Sequence, residues 1–333
     1  MRRIRRILVA VKDPAVRSLP ALAKAAQLAR ALGAELVLFH AISVPLRLEG
    51  DLSFLSDGLP AVERKVRTAS HERLERLERL ARRLRPKRFK VTSSVQWDYP
   101  VYEAILREAD RVGAELIVAE RHAGRHIGAG LLHLTDWELL RLSPVPVLLV
   151  KRAGVYRRPL ILAAVDPDRG YAKPAQLDGE IVSAGSVIAK ALRGTLHAVH
   201  AYAPLPLAAV VNGIRTEEDL ARLQAQSARA AAEKLERLLR QVSVPKSRRH
   251  LIGRHPADAI EQVAAATRSA LVVMGAISRS GLKRLLIGNT AEKLLDRLNC
   301  DLLVIKPAGL IKRPPRTRRP LRYSVFASTR AAY

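Results

Sequence analysis

The sequence predicts an α/β protein: two tandem doubly wound domains, each with a five-stranded parallel sheet, joined in an intramolecular pseudo-dimer and followed by a flexible basic C-terminal tail. Three observations predict it. One pattern occurs twice along the 333 residues. Within each copy, short apolar runs alternate with longer amphipathic stretches, the signature of strands and helices in βαβ order. After residue 308 the composition turns basic and proline-rich.

The repeat is clearest at the end of each copy. Leu139–Lys151 (LLRLSPVPVLLVK) and Leu294–Lys306 (LLDRLNCDLLVIK) match, with 155 residues between Lys151 and Lys306. Ala31–Ala41 echoes Leu192–Ala201, and the opening run Ile7–Val11 echoes Leu160–Val165. A period this long marks a duplicated domain and not a solenoid, whose repeats are far shorter. The predicted domains are 1–153 and 154–308, with a tail over 309–333 and a polar linker at Arg152–Arg158.

In the first copy the strands are expected near 6–11, 35–41, 89–96, 115–119 and 146–151. They read as nearly continuous apolar runs, as strands covered by helices on both faces do. Between them, Leu74, Leu77, Leu80, Ala81 and Leu84 recur at helical spacing with Glu and Arg elsewhere. Gly33 and Gly194 stand where a helix must stop before a strand, the usual C-cap position. Each copy ends on an apolar strand such as Val147–Val150, an aggregation hazard if left at an open edge. Pairing of the two last strands is the economical solution, and homodimerisation through helical faces stays open. After the second strand of each copy, residues 42–55 and 202–211 read as long apolar loops. They serve either as pocket walls for a hydrophobic ligand or as caps on the core.

Charge and cysteine content narrow the function classes. Lys and Arg number 58 against 31 acidic residues, a formal net charge of +27. Such a balance attracts polyanions, nucleic acid among them, although the arginines are scattered through every helix. The one cysteine, Cys300, permits no internal disulfide and suits a reducing cytoplasm as a buried thiol. No apolar stretch reaches the roughly 18–20 residues of a membrane span, and the run after the basic start is too short for a signal peptide. Nucleophile elbow, Walker and His-Glu-x-x-His patterns are absent, so the sequence predicts no enzyme. His122, His126 and His133 lie in an Arg- and Gly-broken stretch that offers no fixed helix to align metal ligands, and no metal is expected. His40 and His200 end the second strands at equivalent places and read as satisfied, partly buried histidines.

In the second copy, Gly253–Ile260 (GRHPADAI), Val272–Gly281 (VVMGAISRSG) and Ile287–Glu292 (IGNTAE) resemble the universal stress protein family. In the first, Leu134–Leu140 (LTDWELL) is similar to tandem members of that family. The resemblance implies a stress-response protein, with roles extending to DNA-damaging conditions, that acts through ligands or partners. Nucleotide-binding members carry Gly-x2-Gly-x9-Gly-(Ser/Thr) after the fourth strand and an Asp after the first. Glycines let backbone approach phosphate, and a following helix offers free N–H groups. The second copy matches at Gly275, Gly288 and Asp166, but has Ser278 at the second glycine and Asn289 at the hydroxyl position. These five are the candidate site residues for ATP or a related nucleotide, the other reading being a tight turn that kept its glycines. The first copy has Glu120 and Ala123 at the corresponding glycines, and a carboxylate there repels phosphate.

Overall fold

Apolar runs and helical periodicity become strands and helices close to where the sequence places them. The computed structural model describes residues 4–42, 54–84, 89–98, 100–121, 133–168, 176–204, 216–240, 242–275, 289–306 and 323–327. The chain divides into two units: residues 2–155 with 311–333, here the first half, and 156–310, the second half.

The first half runs β1 (Arg6–Ala10), α1 (Pro20–Leu32), β2 (Glu35–Ile42), α2 (Phe54–Leu84), β3 (Val91–Trp97), α3 (Val101–Val112), β4 (Leu116–Glu120), α4 (His133–Leu142) and β5 (Val147–Val150). The second runs β6 (Leu160–Val165), α5 (Leu177–Ala191), β7 (Thr195–Ala201), α6 (Glu217–Leu239), a 3-10 turn at Lys246–Arg248, β8 (Arg249–Ile252), α7 (Pro256–Ala266), β9 (Leu271–Gly275), α8 (Asn289–Arg297) and β10 (Asp301–Ile305). Strand β2 ends at Ile42 and helix α2 begins at Phe54, so the expected loop over 42–55 loses its first residue and its last two; the rest of it, and 205–211 of its counterpart, lie outside the described residues.

Strand order in the first half is β3-β2-β1-β4-β5, all neighbours parallel, and in the second β10-β9-β6-β7-β8, again parallel throughout. Each sheet therefore has a switch point beside its first strand, where connections leave in opposite directions and a crevice opens at the carboxyl ends. The expected tail departs from expectation at Tyr323–Ala327, which forms β11 and pairs antiparallel with β3, from Tyr323 opposite Trp97 to Ala327 opposite Ser93. A run of β-formers gives this segment a strand's propensity despite its basic, proline-rich surroundings.

Helices cover the sheets through small and aliphatic residues. Ala21, Leu22, Ala25, Ala26, Leu28 and Ala29 are buried on α1, above fully buried Ile7, Leu8 and Leu38. Each such aliphatic side chain contributes about 2 kcal/mol on removal from water. Gly33 ends α1 at φ 65°, the left-handed cap the sequence predicts. Gly194 does not: Arg193 takes the positive φ of 53°, while a Cβ on Gly194 would lie 2.1 Å from the carbonyl oxygen of Pro159. The glycine there serves close backbone approach, not capping.

Strand β3 is less apolar than its neighbours, because it faces acids carried inward by α3. The fully buried carboxylate of Glu108 accepts from Ser94 Oγ (2.6 Å), Gln96 Nε2 (3.1 Å), and Nε and Nη2 of Arg111 (both 2.7 Å). Beside it Arg107 joins Asp98 and Glu103, with 3.0 Å to the latter. In the second half, Tyr156 donates to Asp301 Oδ2 at 2.5 Å, and burial followed by that carboxylate's charge raises the phenol's pKa well above 10. This bond ties the incoming chain to the start of β10.

Candidate functional site

The switch-point crevice of the second half gathers its polar groups from three elements. Strand β6 ends at Val165, and Asp166 follows with an exposed side chain. Its backbone N–H donates to Asp178 Oδ1 (3.1 Å) in the first turn of α5, which fixes the chain where it leaves the sheet. Strand β7 brings His200 alongside Val165 in the parallel ladder. His200 is fully buried, and its Nδ1 stands 3.4 Å from the Val165 carbonyl oxygen. A carbonyl only accepts, so a hydrogen bond here requires the proton on Nδ1. The other nitrogen, Nε2, points at Asp168 Oδ2, 3.2 Å away. Lys234, half-buried on α6, donates from Nζ to the other oxygen of Asp168 at 2.7 Å. Ligand-capable atoms of Asp166, Asp168 and His200 all lie within 4.8 Å of one another.

Strand β9 is adjacent to β6 and ends on Gly275. A Cβ at Gly275 would approach Leu177 Cδ2 to 2.6 Å and Ile181 Cδ1 to 3.2 Å. Helix α5 therefore packs closely over this glycine through the ends of Leu177 and Ile181. Asp166 and Gly275 thus sit at the carboxyl ends of neighbouring strands. Asn289 opens α8, with its side chain outside the described residues, as are Ser278 and Gly288 entirely. Asp168 and Lys234 are the polar groups that sequence reading missed. Asp168 had a local signal, the Asp-Pro-Asp run directly after a strand; Lys234 lies 66 residues further on and had none.

The equivalent place in the first half is built differently. Lys12 follows Val11 where Asp166 follows Val165. Glu120 Oε1 accepts the N–H of Ala21 at 3.1 Å, so a carboxylate occupies the N-terminal turn of α1. That places a fixed negative charge at the helix end where an anionic ligand would otherwise be favoured. His40 Nδ1 donates to the Val11 carbonyl at 2.8 Å, and burial, with a minor contribution from Arg73, lowers its pKa below 6.5 against the opposing effects of that carbonyl and Asp13. His122 and His126 lie outside the described residues, as does the side chain of His133.

A second histidine pair lies on β7 and β8. His197 Nδ1 and His250 Nε2 are 2.9 Å apart, with rings stacked at 5.2 Å. Burial lowers the pKa of both, and each ring's proximity disfavours a second proton on the pair. Among the described residues, no helix is long and apolar enough to cross a membrane.

The model of the Universal stress protein family matches residues 3–151 and again 161–306. The chain is 28% identical over 232 residues to the Universal stress protein E homolog of Haemophilus influenzae, spanning 66% of this chain and 71% of that protein. It is 28% identical over 214 residues to Universal stress protein E of Escherichia coli K12, spanning 64% and 67%. Among solved structures, a functionally unknown protein of Pseudomonas aeruginosa superposes with a TM-score of 0.68 at 26% identity, covering 92% of this chain and 94% of its own. A putative universal stress protein of another Pseudomonas aeruginosa strain gives 0.68 at 27% identity, covering 92% and 95%.

Proposed function

The chain belongs to the universal stress protein family as a tandem protein of the E type, and from that premise we propose that it serves the stress response by binding and not by turnover, with the second-half crevice as its ligand site. The proposed ligand is ATP or a related nucleotide. One observation carries the reading: the two halves differ at the same place. The second half keeps glycine at the end of β9 with Asp166 beside it, whereas the first has a capping carboxylate, Glu120, and Lys12 in place of the acid. In the parallel sheet this is the position at which ligands bind in open α/β folds. Survival under DNA-damaging conditions and a cytoplasmic location belong to the same proposal, the latter supported by the lone buried thiol of Cys300.

Calorimetric titration of the full chain with ATP in metal-free buffer tests the reading. Binding is expected for the natural protein, weaker by about tenfold in Asp166→Ala and unchanged in Glu120→Gln. Restoring glycine with Ser278→Gly is expected to strengthen it. Absence of binding in both the natural protein and Ser278→Gly would sink the nucleotide reading.

The net charge of +27 favours a second reading, salt-dependent association with nucleic acid through the basic surface and tail.

A further inference from the structure

We propose that Asp166, Asp168 and His200 form a binding site for a divalent transition-metal ion of the zinc, cobalt or manganese class. The inference deepens the ligand-site reading of the same crevice and rests on that crevice being a binding site, but it does not require the ligand to be a nucleotide.

Three features carry it. First, the ligand atoms are already convergent: with no pair more than 4.8 Å apart, some point lies within about 2.8 Å of all three. Zinc bonds run at about 2.0–2.2 Å to nitrogen and carboxylate oxygen, so a movement of well under an ångström closes the site. Asp166 is exposed, while His200 is fixed by burial.

Second, both ring nitrogens face acceptors. Nδ1 lies 3.4 Å from the Val165 carbonyl oxygen and Nε2 lies 3.2 Å from Asp168 Oδ2, while a neutral imidazole has one N–H to give. With that proton on Nδ1, the Nε2 lone pair faces the carboxylate, a contact that a bound cation relieves. An imidazole held through its other nitrogen by a backbone carbonyl is the usual arrangement of a metal-bound histidine. One imidazole and two carboxylates suit borderline divalent ions, with water completing the shell.

Third, the first half supplies an internal contrast. His40 makes the same bond to Val11, yet Lys12 and Pro14 stand where the second half has Asp166 and Asp168, and Asp13 is the one acid between them. Burial keeps His40 below the ordinary histidine range, against the opposing charge of Asp13. A pair of acids is therefore not needed to hold a histidine at this corner of the fold, and the pair in the second half calls for another reason. Lys234 already neutralises one of the two carboxylate charges, and its ammonium competes with an ion at Asp168.

The test is a titration of metal-stripped full-length protein with Co2+, without nucleotide, read by the visible absorption of the bound ion. One saturable equivalent is expected, displaced by Zn2+. Asp166→Asn, an exposed change that leaves packing intact, is expected to weaken binding by about tenfold or more. Lys234→Met is expected to tighten it, an outcome that an Asp168–Lys234 pair of purely structural role does not produce. Equal Co2+ uptake by the natural protein and an Asp166→Asn/Asp168→Asn double variant overturns the proposal, and so does the absence of any bound spectrum. Metal binding without ATP binding would remove the nucleotide reading alone; ATP binding in metal-free buffer without Co2+ uptake would remove this one alone.

Discussion

His40 and Val11 are joined across the first two strands by a bond of 2.8 Å from the ring Nδ1 to the backbone carbonyl, inside a buried corner of the first half. The same bond, 3.4 Å long, links His200 to Val165 in the second half. In both, the histidine at the end of the second strand latches the residue that leaves the first. The duplicated domains thus share a polar corner and differ in what surrounds it.

The His40 latch has a pH signature. Burial depresses its pKa below 6.5, and His197 and His250 are depressed for the same first reason. Each binds a proton more readily in the unfolded chain than in the folded one. Their contribution to stability is fully present above about pH 6.5 and is lost progressively as pH falls through their folded pKa values. Denaturant midpoints measured between about pH 7.5 and pH 5 are expected to decline, and His40→Gln is expected to flatten part of that decline. A pH-independent midpoint would contradict the assignment.

Three glycines are expected to rank in a set order when changed to alanine. Gly194→Ala is the most damaging, about 3 kcal/mol or more, because a backbone oxygen 2.1 Å away cannot yield. Gly275→Ala is intermediate, about 1–3 kcal/mol, since the obstacle is the end of the flexible Leu177 side chain. Gly33→Ala costs about 1 kcal/mol: its φ of 65° is strained for alanine, but nothing lies within 4 Å. Chemical denaturation of the three variants gives the order directly, and a Gly275→Ala variant of natural stability would return that glycine to a ligand role alone.

Much of this architecture was legible in the sequence, for physical reasons that can be named. Runs such as Val147–Val150 and Leu302–Ile305 are apolar on both faces because helices cover both faces of a parallel sheet, and the duplication makes the pattern legible twice. Strand β3 is less apolar than the expected run, since Ser94 and Gln96 carry polar side chains that bond to Glu108 of α3. Beyond that, local signals fail. The Asp168–Lys234 contact spans 66 residues and has no spacing rule, and β11 was masked by the arginines and prolines that precede it.

Glu108 anchors the least apolar part of the first half. Its fully buried carboxylate takes four hydrogen bonds, so Glu108→Ala leaves Ser94, Gln96 and Arg111 without their acceptor. The expected loss is roughly 3 kcal/mol, at the low end for a broken buried pair because the Arg111 side chain is half exposed. Glu108→Gln keeps the shape and some acceptor capacity, and is expected to cost less. Thermal unfolding of both variants decides; equal, negligible shifts would mean the network adds nothing net.

The tail carries both a strand and a run of basic residues, and its removal tests the two together. Strand β11 covers the outer edge of β3 over five register pairs, so deleting residues 309–333 leaves that edge open. Open edges exchange amide hydrogens faster and seek other strands, so the truncated protein is expected to lose protection along Val91–Trp97 and to self-associate as concentration rises. The same segment carries Lys312, Arg313, Arg316, Arg318 and Arg319. If these residues meet nucleic-acid phosphates, each lost contact lowers the slope of log K against log salt concentration by about one unit. Fluorescence titrations with duplex DNA at several salt concentrations, on intact and truncated protein, measure that slope. A fall of several units on truncation assigns polyanion binding to the tail. An unchanged, steep slope assigns it to the arginine-rich helices, and a shallow slope in both proteins ends the nucleic-acid reading while leaving the exchange result to report on β11 alone.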